Sequence, residues 1–100
     1  MIKRATRFKG TSFHHVTIIT TPRKLMDLAD KIGATYYAGN DGEDKTNFDF
    51  DFETEDGVYF TVYDWKEYRI LDLDKTVEFH IGGESASDCR IGKEILNESI

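Results

Sequence analysis

Apolar and polar residues alternate without a break from Phe48 to Glu53 and again from Val58 to Tyr63, a period of two that a β-strand turns into two distinct faces. Phe48, Phe50 and Phe52 fall on one side with Val58, Phe60 and Val62. Asp49, Asp51 and Glu53 fall on the other with Tyr59, Thr61 and Tyr63. A two-residue Asp56-Gly57 loop would oppose Phe52 to Thr61 and mix the faces, so a three-residue loop, Glu55-Asp56-Gly57, is expected, with Gly57 free to turn left-handed. That loop sets Phe52 against Phe60, Phe50 against Val62, Glu53 against Tyr59, Asp51 against Thr61 and Asp49 against Tyr63.

The same patterning places the other elements. Ser12 to Thr20 is rich in β-branched residues and reads as the first strand. Thr21 and Pro22 have the character of an N-cap and first helical residue; Leu25, Leu28, Ala29 and Ile32 then recur at helical spacing until Gly33. Ala34 to Ala38 fits a short strand, and Gly39 to Lys45 a polar loop. In Lys75 to Ile81, Val77, Phe79 and Ile81 point inward while Glu78 and His80 point out with the acidic row. Gly82 and Gly83 lead into a second helix with Ser85 as N-cap and an apolar stripe of Ile91, Ile95 and Leu96; Gly92 within it predicts close packing on the sheet. The result is an α+β fold: a mainly antiparallel sheet of about four or five strands with two amphipathic helices packed on one face. Residues 1–100 form a single domain, in which residues 1–10 read as a flexible basic arm or a short edge strand.

Composition narrows the class. A chain with 32% charged residues and no apolar run near the roughly 20 residues of a membrane span excludes an integral helix, and the opening MIKRATRFKG lacks a secretory core, so a cytoplasmic location is expected. Cys89 is the single cysteine; it excludes an internal disulfide and is expected to pack as a small apolar residue. The net charge of −6 is uneven, since Met1 to Thr35 holds seven Lys or Arg against two Asp, and the remainder six against seventeen Asp or Glu. An acidic body repels phosphates, so direct nucleic-acid binding is not expected.

Three constellations carry chemical interest. The outward row of Asp49, Asp51, Glu53, Tyr59, Tyr63, Glu78 and His80 favours Lys and Arg from a partner, with the tyrosines adding apolar area and hydrogen bonds. It equally suits solubility and protection of the sheet. Trp65, Arg69, Gly82, Gly83 and Ser85 offer a second option, a ligand at a helix N-terminus beside an aromatic strand exit, although Gly82-Gly83 also suits a plain strand-to-helix turn. His14, His15 and His80 lack a third metal ligand, since neighbours in a strand point to opposite faces. No catalytic triad, metal set or cofactor motif is recognisable, and no enzyme activity is expected.

The run VYFTVYDWKEYR, followed by VEFHIGGESASD and a helix, resembles short bacteriophage accessory proteins with a Tyr-Asp-Trp strand exit and a strand ending His-Ile-Gly-Gly. The resemblance covers Val58 to Leu96, under half the chain. It implies a small effector of the host cytoplasm that binds and inhibits a host factor, and transfers no functional residue. The leading expectation is a non-enzymatic protein whose acidic, tyrosine-bearing face engages a basic protein surface, as an inhibitor or nucleic-acid mimic. The alternative is a small-ligand or nucleotide binder, and the uncovered sheet face makes a homo-oligomer a natural expectation.

Overall fold

In the computed structural model, which describes residues 2–6 and 10–100, the central hairpin forms in the register that the three-residue loop dictates. All five pairs from Glu53–Tyr59 to Asp49–Tyr63 are opposed, and Gly57 takes a φ of 87°. The chain order is β1 (Ile2–Arg4), β2 (Phe13–Thr20), α1 (Pro22–Ile32), β3 (Tyr36–Ala38), β4 (Phe48–Thr54), β5 (Tyr59–Tyr63), β6 (Val77–Gly83) and α2 (Ala86–Ser99). This is an α+β arrangement with an entirely antiparallel sheet.

The sheet has six strands rather than four or five, in the order β1-β4-β5-β6-β2 with β3 also on β4. The extra strand arises because β4 is long enough to take two short partners. Ile2 to Arg4 pair with Thr54 to Phe52, and Tyr36 to Ala38 pair with Phe50 to Phe48. Part of the basic N-terminal segment is therefore an edge strand; Arg7 and Lys9 lie outside the described residues. Arg4 stands opposite Phe52 and Lys3 opposite Glu53.

The apolar face forms one core. Phe48, Phe50 and Phe52 stack with ring centroids 6.2 and 5.9 Å apart, and Tyr36 of β3 lies 5.1 Å from Phe50. Leu25 and Ala29 of α1, and Cys89 and Leu96 of α2, are buried in the same cluster as Phe60, Phe79 and Ile81. Helix α2 lies mainly across β2, β6 and β5 and reaches β1 and β4, where α1 also packs. Their starts are capped as the sequence suggests: Thr21 accepts from the Lys24 amide at 3.2 Å, and Ser85 from the Asp88 amide at 3.1 Å. On α2 the buried residues are Cys89, Gly92 and Leu96; Ile91 leaves the expected stripe and is exposed, because the helix approaches the sheet along its glycine.

A register shift separates the two halves of β2. Phe13 opposes Gly83 and Val16 opposes Ile81, so residues 14 and 15 together face the single residue Gly82. This is a β-bulge, which re-aims the side chains beside it. At the other end of the sheet, two loops are locked together by buried polar groups. Asp64 accepts hydrogen bonds from the amides of Asn47 and Phe48, each 2.8 Å, and from Asn47 Nδ2 at 3.1 Å. Asn40 bonds both backbone groups of Leu71.

Candidate functional site

The face opposite the helices holds the residues that alternation sends outward, but they do not all reach solvent. Glu53 is 6% exposed and Tyr59 is 5% exposed. Lys3 of β1 reaches Glu53 at 3.0 Å, and the Thr6 amide and hydroxyl donate to the same carboxylate at 3.3 Å. The Lys3 hydrogen bond holds the Glu53 carboxyl below its usual range. The Tyr59 hydroxyl donates to Asp51 at 2.7 Å, and burial, reinforced by that bond, pushes the Tyr59 phenol well above its ordinary pKa. Glu53 and Tyr59 are thus withdrawn from the expected binding row. For Glu53 the cause is β1 and Thr6 beyond it, which supply a cation and two donors that alternation within the hairpin does not reveal.

What stays open is the other end of the row. Asp49, Tyr63, His80 and Thr17 form one rung across β4, β5, β6 and β2, and Asp51, Thr61 and Gly82 form the next. Over them lies a hollow of about 630 Å³ lined by Thr11, His14, Thr46, Asp49, Thr61, Tyr63, Trp65 and His80. Tyr63 anchors it. Its ring stacks on His80 with centroids 5.7 Å apart and meets His14 and Trp65 edge-on. Its hydroxyl lies 2.6 Å from His14 Nδ1.

The tautomer of His14 follows from its second contact. Nε2 lies 3.2 Å from the Thr11 carbonyl, which can only accept, so Nε2 carries a proton, and in that tautomer Nδ1 is the acceptor for the Tyr63 hydroxyl. Burial first, and the charge of Asp49 second, raise the Tyr63 phenol, which keeps it a donor at neutral pH. Gly82 makes this arrangement possible. A Cβ there would stand 2.7 Å from Thr61 Oγ1 and 2.8 Å from the His14 ring, so the ring occupies space that any side chain would fill.

Asp49 is the exception among the acids of this face. Asp51 has its tyrosine and Asp64 its three N–H donors, but Asp49 Oδ1 is buried with no hydrogen-bond partner among the described residues. Burial, and then the neighbouring charges of Asp51 and Asp64, raise its carboxyl to about 6. Glu78 of β6 is exposed beyond the hollow.

The residues of the alternative ligand site do not converge. Trp65 lines the hollow, with Lys45 and Lys66 5.9 and 5.5 Å from its ring centre. Arg69 pairs with Glu67 at 3.2 Å, and its carbonyl accepts from Asn47. Gly82 lies under His14, Gly83 faces Cys89 and Asp88, and Ser85 is spent on capping α2. A Gly-rich anion cradle is therefore filled by the chain itself. Among the described residues no group of three His, Cys, Asp or Glu side chains could hold a metal ion, and no helix is long and apolar enough to cross a membrane. Residue alternation locates Asp49, Tyr63 and His80; it misses His14, Thr11 and Thr46. A glycine at an outward strand position, Gly82, is the one sequence signal of the close approach that brings His14 in. No protein-family model, curated protein or solved structure matches this chain.

Proposed function

We propose that this chain is a non-enzymatic binding protein whose outer sheet face engages a basic surface of another protein. The observation that carries the reading is the unneutralised Asp49 at the edge of an open, aromatic-walled hollow, on a chain of net charge −6. A half-buried carboxylate without a donor is costly alone and becomes favourable when a partner supplies a cation. Tyr63 and Trp65 add the ring area on which tight contacts are commonly built. The contact set is thereby narrowed to Asp49, Asp51, Tyr63, Trp65, Glu78 and His80. By occupying a site meant for a nucleic-acid backbone, such a face would act as an inhibitor of its host-factor partner.

The test is binding of a fluorescent Arg/Lys-rich peptide across a salt series. Affinity should fall steadily with ionic strength, and a triple variant D49N/D51N/E78Q should lose at least about tenfold. A control with two acids neutralised on the helices, D27N/E98Q, should bind as the parent does. Equal binding by parent and triple variant would reject the reading.

The hollow also favours a second reading, since its volume falls in the range of small-molecule sites. In that case a ligand would sit against Trp65 and Tyr63 rather than on the glycine turn. A thermal-shift panel of nucleotides and small amines separates the two, because a ligand of the native state raises the unfolding midpoint.

A further inference from the structure

Resting on the reading above and extending it, we infer that the hollow is a receptor for a single arginine side chain of the partner, with Asp49 as its counter-ion. The lining explains the choice. Among the described residues neither Lys nor Arg lines the hollow, whereas groups able to accept do: the Asp49 carboxylate and the hydroxyls of Thr11, Thr46 and Thr61. With the Tyr63 hydroxyl donating to His14 Nδ1, 2.6 Å away, its oxygen lone pairs are left to accept. Asp49 can only accept and the threonine hydroxyls can turn to accept, so a ligand with many N–H groups suits this lining, and guanidinium carries five.

Shape points the same way. Tyr63 and Trp65 stand nearly perpendicular, at 85°, so the site offers aromatic surfaces in two orientations to a flat cation. Planar guanidinium stacks on rings and meets a carboxylate through two parallel bonds, which a compact ammonium cannot do. Trp65 already has two lysine ammonium groups near its ring.

Trp65 is the only tryptophan of the chain, and its position makes it the reporter. The probes are N-acetyl-arginine methylamide, its uncharged citrulline counterpart and the lysine counterpart, titrated into the full chain by Trp65 fluorescence and by amide NMR. The arginine compound should produce a saturable change centred on Asp49, Thr61, Tyr63 and His80. It should bind at least about tenfold more tightly than citrulline and several-fold more tightly than lysine. Asp49→Asn should abolish that preference while the thermal midpoint at neutral pH rises rather than falls, and Thr46→Val, which removes one acceptor without touching the strand ladder, should weaken arginine alone. Affinity should also drop as the pH falls below about 6.

Equal affinity for arginine and citrulline, or an unchanged preference in Asp49→Asn, overturns the inference. If the long basic peptide still binds in a salt-dependent manner under either result, the receptor is wrong and the binding face survives. If neither peptide nor arginine binds, both readings fall.

Discussion

Asp49, Asp51 and Asp64 share one neighbourhood, yet only Asp49 meets no donor, and that difference has a measurable pH signature. Its carboxyl is raised to about 6 in the fold, against about 4 in an unfolded chain. Between those values the native state holds a proton that the unfolded state has released, so unfolding free energy declines as pH rises from about 4 to about 6 and stays reduced above. Asn carries no such deficit. Asp49→Asn is expected to be more stable than the parent at pH 7.5 by about 1 kcal/mol, allowing for solvent screening of a half-buried group. The difference should vanish near pH 4, as read by urea denaturation at both pH values. At this scale the sequence reveals which side chains share a face, because alternation is strictly local. It does not reveal that Glu53 is neutralised by Lys3, or that Asp64 is buried under loop amides, because those partners lie far away along the chain.

At the scale of elements, the contact between α2 and the sheet is set by Gly92. A Cβ on this residue would come within 2.7 Å of the Phe60 ring, and Phe60 is fully buried. Alanine would gain about 1 kcal/mol of helix propensity and lose about 1–3 kcal/mol by overpacking. Gly92→Ala is therefore expected to destabilise by about 1 kcal/mol net, seen as a lower urea midpoint with an unchanged slope; a gain in stability would show that α2 can ride outward freely. The elements themselves were legible where their signals are short-range. Thr21-Pro22 and Ser85 mark helix starts through bonds three residues long, and the hairpin register follows from its loop. The register of β1, and the locking of the 39–47 loop to the 64–71 segment through Asn40, Asn47 and Asp64, depend on distant parts of the chain meeting. No local pattern announces them.

For the whole molecule, the net charge of −6 with a pI near 4.9 means that the folded state carries mutual repulsion among its acids at neutral pH. Salt screens that repulsion. The thermal midpoint at pH 7.5 is expected to rise by about 2–4 °C between low and moderate salt, corresponding to about 1 kcal/mol or less, and to be nearly flat at pH 5. A fall with salt would show that attractive pairs such as Lys3–Glu53 dominate instead. The fold-wide order of strands also gives the bulge of β2 a meaning beyond the hollow. Because residues 14 and 15 together answer to Gly82, this strand contains one residue more than its ladder requires. Removing residue 15 would leave every flanking pair matched, so the chain has a position where shortening by one amino acid is structurally admissible, and where the length of the protein, rather than any side chain, sets how His14 is presented.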